Sequence, residues 1–267
     1  MYSLNRRNFI IGSSFVLSAS PTVAASNKYL TIDYGPSELD IYSASSNSLR
    51  PVMLFVHGGA WQIGSRRDVD VKPAFFEKLG YLFVSLDYRL FPFVKPVRQV
   101  DDIVAAYIWL RSNISKYGGD PLHIVAMGHS AGCHLLALAT LSGRLPGLAG
   151  LICNDIQMYD IAKFAAARGG TLPFHYALAF SSSSWSNLSP ATFVGQYPVP
   201  PILVAYSSME HSQDMSLDFV QRLIAAGVSV TVFDGSAYKH RAINRDIGHN
   251  QGGISAAIEG FLAAYHK

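Results

Sequence analysis

Short apolar runs alternate with helical stretches along most of the chain, and this alternation restricts the possible folds more than any other feature. Six runs of five or six residues are predicted as buried strands: Val52–Val56, Leu82–Leu86, Leu122–Met127, Leu148–Cys153, Pro201–Tyr206 and Val228–Phe233. Helices are predicted at about Val71–Leu79, Val97–Tyr117, Ala131–Leu141, Gln213–Ala226 and Ile254–Tyr265. Continuous apolar strands separated by helices indicate a parallel sheet that is covered on both faces. The sequence therefore predicts a doubly wound α/β protein.

Two regions depart from this alternation. Lys28–Tyr34 and Leu39–Ser43 flank a Gly-Pro-Ser-Glu turn, which predicts an N-terminal β-hairpin. Residues 154–200 lack a clear strand and are rich in aromatic side chains. An insertion of this length is either a functional lid or irregular helical structure packed on the core, and both readings stay open. The expected organisation is one α/β domain over residues 26–267, with a short lid insertion at about 154–200.

The first 25 residues have the pattern of an export signal. Arg6 and Arg7 precede the apolar run Phe9–Leu17, and small residues end this segment at Val23-Ala24-Ala25. The arginine pair is typical of a twin-arginine signal, which predicts a periplasmic or secreted protein. The apolar run falls short of the roughly 20 residues that a membrane span needs, so stable membrane insertion is not expected once the signal is removed.

Net charge and cysteine content exclude several classes of protein. The formal charge is +3, and loss of Arg6 and Arg7 with the signal would leave about +1, which does not indicate a nucleic-acid or anionic-membrane partner. Cys133 and Cys153 have neither a redox nor a zinc-site spacing, and their apolar surroundings favour free buried thiols over a bridge. The histidines form no His-Glu-x-x-His pattern. No metal or cofactor is expected.

The segment Gly128-His129-Ser130-Ala131-Gly132 follows a predicted strand and precedes a predicted helix. This is the G-x-S-x-G pattern in the strand–turn–helix context of a nucleophile elbow. The sharp turn strains the serine backbone and projects its hydroxyl above the carboxyl edge of the sheet, where open α/β sheets bind ligands. Ser130 is therefore the candidate nucleophile.

A second motif, His57-Gly58-Gly59-Ala60-Trp61, follows the strand Val52–Val56. Acyl transfer needs backbone N–H donors that are positioned in advance around the developing oxyanion. Glycines allow the backbone to approach the substrate closely, so the candidate oxyanion hole consists of Gly58, Gly59 and the amide of Ala131. His57 is expected to hold this loop by hydrogen bonding, and Trp61 to pack at the wall of the pocket.

These two motifs, together with Leu86-Asp87-Tyr88-Arg89 and Tyr117-Gly118-Gly119-Asp120-Pro121, resemble the α/β-hydrolase superfamily. The pattern is similar to its carboxylesterase branch, which includes kynurenine-formamidase-like enzymes and bacterial feruloyl or acetyl esterases. The resemblance implies the α/β-hydrolase fold and a serine–acid–histidine triad in that chain order.

The base should follow the last predicted strand, and His240, His249 and His266 satisfy that order. His240 is favoured because its loop, Gly235–Arg241, would lie over Ser130. The stretch from His240 to Asp246 also resembles the formamidase-like branch at its catalytic histidine. His249 and His266 are expected to be surface residues.

The acid is expected after the strand Pro201–Tyr206, where many relatives carry Gly-x-x-Asp. Glu210 occupies the matching place in Tyr206-Ser207-Ser208-Met209-Glu210, although the glycine is missing. A glutamate can orient the histidine as an aspartate does. Asp214 and Asp218 are the alternatives, but both fit the exposed face of the following helix. Glu210 is therefore the candidate acid.

The resemblance implies a secreted serine hydrolase that cleaves a small-molecule ester, or alternatively an aryl-formyl amide, without a cofactor. A catalytically silent binding protein of the same fold is the competing interpretation. Such proteins usually lose the serine or the histidine, whereas Ser130 and His240 are both present. Fold alone does not determine the substrate, so the substrate class depends on the resemblance.

Overall fold

The computed structural model describes residues 29–42 and 48–265. The predicted export signal at residues 1–25, like His266, lies outside the described residues. Within them, one sheet has eight strands in the order β1-β2-β4-β3-β5-β6-β7-β8. The strands are β1 Tyr29–Asp33, β2 Glu38–Tyr42, β3 Arg50–Val56, β4 Leu82–Leu86, β5 Gly119–His129, β6 Gly150–Asn154, β7 Ile202–Ser207 and β8 Val230–Gly235.

The six strands from β3 to β8 run parallel to one another, and each contains or overlaps one of the predicted apolar runs. β1 and β2 form the predicted hairpin, which pairs with the edge of β4 in antiparallel orientation. The sheet confirms the predicted doubly wound α/β fold with an N-terminal hairpin.

Helices cover both faces of this sheet. Those described are α1 Lys72–Lys78, α2 Pro96–Asn113, α3 Ala131–Leu141, α4 Ile161–Ala167, α5 Phe174–Ala177, α6 Trp185–Leu188, α7 Ser212–Ala225, α8 His240–Arg245 and α9 Gly253–Tyr265. Proline stands in the first turn of α1 and of α2, where its missing N–H costs nothing. The predicted insertion contains the short helices α4 to α6. The sequence predicts His240 and Arg241 in the loop Gly235–Arg241, whereas in the structure they begin helix α8.

The central strands are mostly apolar because they contribute to two cores. In β3, Val52, Leu54 and Val56 face one core, and Met53 and Phe55 face the other. This alternation follows from the pleat, which sends successive side chains to opposite faces. The first core includes buried side chains of α2, α3 and α7, and the second includes those of α1 and α9.

Every residue of α3 is buried, so the helix that follows the candidate nucleophile is held on all sides. Cys133 at its start and Cys153 in β6 are free and buried, as expected. Among the helices of residues 29–42 and 48–265, none combines the length and apolar character that a membrane crossing requires. The carboxyl ends of β3, β5, β6 and β8 meet at one edge of the sheet, and the candidate site lies there.

Candidate active site

Ser130 occupies a strained turn between β5 and α3. Its backbone has φ 54° and ψ −120°, a conformation that residues other than glycine adopt rarely. The two flanking glycines make the turn possible. A Cβ on Gly128 would lie 2.5 Å from the backbone of Gly132, and a Cβ on Gly132 would lie 2.3 Å from the Val56 carbonyl oxygen. The elbow is thus packed directly against the end of β3.

His240 lies over this serine, as the sequence predicts. Its Nε2 is 2.9 Å from Ser130 Oγ, a hydrogen-bond distance. His240 is the first residue of α8, and Lys239 immediately before it has extended backbone. The start of this helix therefore fixes the direction in which the imidazole points.

The carboxylate that contacts His240 is Asp155, not Glu210. Asp155 Oδ2 lies 2.6 Å from His240 Nδ1, and the Asp155 side chain has no solvent exposure. Asp155 directly follows β6, with φ 61°, and its N–H donates to the Ala205 carbonyl of β7. The chain thus reverses sharply at the edge of the sheet and turns the carboxylate towards His240.

Glu210 is directed away from His240, so the Glu210 assignment is wrong in this geometry. Its side chain is 73% exposed and pairs with Arg168 at 3.2 Å. Its carbonyl oxygen accepts a hydrogen bond from Gln157 Nε2. Both contacts tie the loop after β7 to the segment after β6. Glu210 therefore joins two loops at the surface, where a carboxylate cannot orient a partly buried imidazole.

The end of β7 and the start of α7, on either side of the Glu210 loop, nevertheless contribute to the site. Asp155 Oδ1 accepts hydrogen bonds from the Ser207 N–H at 3.0 Å and from the Ser212 hydroxyl. Burial by itself would raise the pKa of Asp155, but the hydrogen bonds from His240, Ser207 and Ser212 outweigh that effect. The pKa of Asp155 is consequently lower than usual, and the carboxylate stays ionised.

The remaining alternatives lie apart from the contact between His240 and Ser130. Asp218 pairs with Lys163 and Arg222 on the surface of α7, and Asp214 is exposed on the same helix. His249 is exposed beyond α8. These positions agree with the surface roles that the sequence indicates.

The loop after β3 brings two glycines next to the nucleophile. A Cβ on Gly58 would lie 3.0 Å from Ser130 Cβ, so a side chain here would require its neighbours to shift. Gly59 has φ 122°, and a Cβ there would lie 1.9 Å from the Ile63 carbonyl oxygen. Ala131 is the first residue of α3, where backbone N–H groups lack partners within the helix. The predicted oxyanion-hole residues thus border Ser130.

His57 has the structural role that the sequence predicts, whereas Trp61 lies in the interior and not at the wall of the pocket above Ser130. His57 Nδ1 donates to the Gly58 carbonyl at 2.7 Å, and its ring stacks on Tyr88. Burial lowers the pKa of His57, which favours the neutral ring. Trp61 is fully buried and packs against Tyr176 and Phe180.

His129, the variable residue of the elbow, also contacts His240. Its Nε2–H donates to the His240 carbonyl oxygen at 2.9 Å, and the two ring centroids lie 4.7 Å apart. Burial and then the nearby His240 lower the pKa of His129 to about 3. His129 is therefore neutral near pH 7 and adds no like charge beside His240.

A cleft of about 580 Å³ opens above these groups. Ser130, His240 and the two glycines form its floor together with Phe55 and His129. Its other walls come from Ala60, Ile63, Gly64, Asp68, Asp70, Tyr176, Arg241, Asn244 and Arg245. Among the described residues, no group of three or more His, Cys, Asp or Glu side chains could hold a metal ion.

Residues 39–165 match the BD-FAE family model. Esterase LipQ of Mycobacterium tuberculosis is 38% identical over 125 residues, which cover 44% of this chain and 30% of LipQ. Isoprenylcysteine alpha-carbonyl methylesterase ICME of Arabidopsis thaliana is 28% identical over 232 residues, covering 78% of this chain and 54% of ICME. Thermogutta terrifontis esterase 2 phosphonylated by sarin superposes with a TM-score of 0.74 at 20% identity, covering 89% of this chain and 95% of that one.

Over the residues that these comparisons match, the chain is similar to carboxylesterases of the α/β-hydrolase superfamily. The chain spans less than two thirds of the two curated relatives named above. Its BD-FAE match includes Gly58, Ser130 and Asp155 but ends before His240. The part of the chain that the family model matches thus contains the candidate nucleophile and the contacting acid, while His240 lies outside it.

The sequence does contain a signal for Asp155. Asp155 comes two residues after the apolar run Leu148–Cys153, with Asn154 between them. This position is at the edge where the carboxyl ends of parallel strands meet. Because the predicted insertion begins at residue 154, it includes Asp155, which is therefore not among the residues predicted at the end of a strand. Asp155 also satisfies the serine–acid–histidine order, as Glu210 does, so chain order alone cannot distinguish the two.

Proposed function

We propose that this protein is a serine hydrolase that cleaves carboxylic esters with a Ser130–Asp155–His240 triad. The observation that carries the proposal is the continuous pair of contacts from Ser130 Oγ to His240 Nε2 and from His240 Nδ1 to Asp155 Oδ2, at 2.9 and 2.6 Å. Relatives named esterases support ester bonds as the substrate class.

In the proposed first step, Ser130 Oγ attacks the ester carbonyl carbon while His240 Nε2 accepts the hydroxyl proton. Asp155 accepts a hydrogen bond from the Nδ1–H of His240. This contact leaves His240 Nε2 unprotonated as the base and stabilises the imidazolium that forms. The N–H groups of Gly58, Gly59 and Ala131 would stabilise the oxyanion. His240 then protonates the departing alkoxide, which leaves as the alcohol.

The second step releases the acyl group. Water attacks the acyl-enzyme carbonyl while His240 accepts its proton, and His240 returns that proton to Ser130 Oγ as the carboxylic acid departs. Every proton in this cycle moves through His240. The intact contacts among the three residues argue against a catalytically silent binding protein.

A panel of p-nitrophenyl esters of increasing acyl length, with N-formylkynurenine as an amide probe, tests the proposal. Wild-type protein should hydrolyse at least one ester, and Ser130→Ala should lose roughly 10⁴-fold or more in catalytic constant. Ser183→Ala, an exposed serine in the 154–200 segment, is the matched control and should retain full activity. Ester hydrolysis that survives Ser130→Ala, or faster cleavage of the formamide than of every ester, would contradict the proposal.

Export through the twin-arginine route is part of the same proposal and is supported by Arg6 and Arg7 before a short apolar run. The double substitution Arg6→Lys, Arg7→Lys should leave the precursor in the cytoplasm of an expressing bacterium. Cell fractionation and immunoblotting measure the distribution. Normal periplasmic delivery of the double variant would exclude this route.

A further inference from the structure

The active-site cleft borders a second, shallower pocket. Gly64 lines both, and the second pocket has a volume of about 350 Å³. Gly64 has φ +111°, and a Cβ there would lie 2.4 Å from both the Gly58 carbonyl oxygen and His57 Nδ1. Only a glycine fits at this point. The backbone of Gly64 is therefore packed against Gly58 and His57, and Gly64 itself adds no side chain where the two pockets meet.

The charged side chains around the second pocket and the Tyr88 hydroxyl already have partners. Asp87 pairs with Arg66, and Arg89 pairs with the buried Asp102. The Tyr88 hydroxyl donates to the carbonyl oxygen of His57, which is at the base of the oxyanion loop. The side chains left to contact a ligand are the hydroxyl of Ser37 and the apolar groups of Leu90 and Phe93.

Phe93 is 89% exposed, more than any other large apolar side chain in the described residues. The turn that carries it is nevertheless anchored. The N–H of Phe91 donates to the Trp61 carbonyl at 2.9 Å, the N–H of Val94 donates to the Leu90 carbonyl, and Lys95 Nζ lies over the Phe91 ring. Phe93 is thus held next to the loop that borders the nucleophile while its ring faces solvent.

We propose that Leu90 and Phe93 form a distal subsite for an aryl or alkyl group at the far end of an extended ester, which passes over Gly64. The proposal rests on the proposed esterase function and specifies its substrate class. An aromatic ring stacks favourably on another flat apolar group, and each such contact adds to the energy of burial. A short ester would occupy only the cleft above Ser130.

Two ester series test the subsite: methyl ω-phenylalkanoates, which extend the acyl side, and ω-phenylalkyl acetates, which extend the alcohol side. In one series, kcat/KM of the wild type should rise once the linker is long enough for the phenyl group to reach Phe93. Phe93→Ala should reduce the ratio of kcat/KM between long and short esters by about 3–10-fold, and Phe93→Trp should retain it. Leu122→Ala removes another exposed apolar side chain, near the start of β5 and away from the end that leads to Ser130. This variant should leave the ratio of kcat/KM between long and short esters unchanged.

An equal effect of Phe93→Ala on long and short esters, or no effect, would overturn the distal subsite while leaving the esterase proposal intact. If the wild type hydrolyses none of the esters, the esterase proposal fails, and a binding measurement decides the subsite separately. Phe93→Trp fluorescence, compared with that of the wild type, should then change on titration with a phenylalkyl methyl ketone but not with acetone. No difference between the two ketones would exclude the subsite.

Discussion

Asp155 and His240 are 85 residues apart in the sequence, yet Asp155 Oδ2 lies 2.6 Å from His240 Nδ1. The residues on either side of the loop after β7, where the sequence predicts the acid, instead donate hydrogen bonds to Asp155: Ser207 ends β7 and Ser212 begins α7. The residue after β6 therefore provides the charge, and the end of β7 and the start of α7 satisfy its other oxygen. A buried carboxylate needs such donors because an unpaired buried charge is costly.

Replacement of Asp155 should impair catalysis far more than replacement of Glu210. Asp155→Asn should lower the catalytic constant by roughly 10²–10⁴-fold, because the amide can no longer hold the imidazole in the required tautomer. Glu210→Gln should stay within about 2-fold of the wild type, since an exposed ion pair contributes little. Steady-state kinetics on the best p-nitrophenyl ester measure both variants. A large loss of the catalytic constant in Glu210→Gln, together with a near-normal one in Asp155→Asn, would show that Glu210 is the acid of the triad.

His129 should act as a positioning residue for His240. His129→Ala removes the donor to the His240 carbonyl, and we expect kcat to fall by about 10–100-fold while KM changes little, because small displacements of a catalytic group are costly. His129→Gln keeps an N–H donor and should recover part of the loss. Separate determination of kcat and KM distinguishes this role from a loss of substrate binding. Equal activities of the Ala and Gln variants would count against it.

Lys72 should make the stability of the fold depend on pH in the alkaline range. Its side chain is fully buried, its Nζ has no hydrogen-bond partner within the described residues, and Asp70 Oδ2 is 3.9 Å away. Burial lowers the pKa of Lys72 to about 8 from 10.5, although Asp70 acts in the opposite direction. Below pH 8 both the folded and the unfolded chain carry the charge, so the folded state bears the full penalty. Between about pH 8 and 10.5 the unfolded chain binds more protons, so this group makes the protein more stable as the pH rises.

Lys72→Met removes that penalty. The free energy of unfolding at pH 7 should increase by on the order of 2–3 kcal/mol, and this gain should shrink between about pH 8 and 10.5. Urea unfolding at several pH values measures the free energy of unfolding of the wild type and of the variant. The titration of all other groups affects both proteins and cancels when the two free energies are subtracted. A variant that is less stable than the wild type at pH 7 would show that the charged form of Lys72 stabilises the fold.

Gly132 should tolerate no side chain, whereas Gly260 should accept one. A Cβ on Gly132 would lie 2.3 Å from the Val56 carbonyl oxygen and 2.4 Å from that of His57. Gly132→Ala should therefore destabilise the protein by about 1–3 kcal/mol. Gly260 is in α9 with nothing within 4 Å of its Cβ position, so Gly260→Ala should stabilise by about 0.5–1 kcal/mol. Thermal unfolding followed by circular dichroism compares the two, and equal effects would contradict the packing described for the elbow.

The strands and the nucleophile could be predicted because their signals are local. A strand buried on both faces is apolar over most of its length, as Val52–Val56 of β3 is. The elbow around Ser130 requires small residues at fixed positions, because larger side chains would clash with the backbone. Helix α8 gave no such signal. It has only six residues, too few for an apolar period to emerge.

The sequence by itself determined the sheet, Ser130, the glycines of the oxyanion loop and the approximate place of His240, since each depends on neighbours close in the chain. Only the tertiary structure decided the acid. Asp155 and Glu210 both follow strands, both precede His240 and both carry the same charge. What separates them is which carboxylate is buried within hydrogen-bond distance of the imidazole. That distance depends on how the loops after β6, β7 and β8 pack against one another, and no local pattern encodes it.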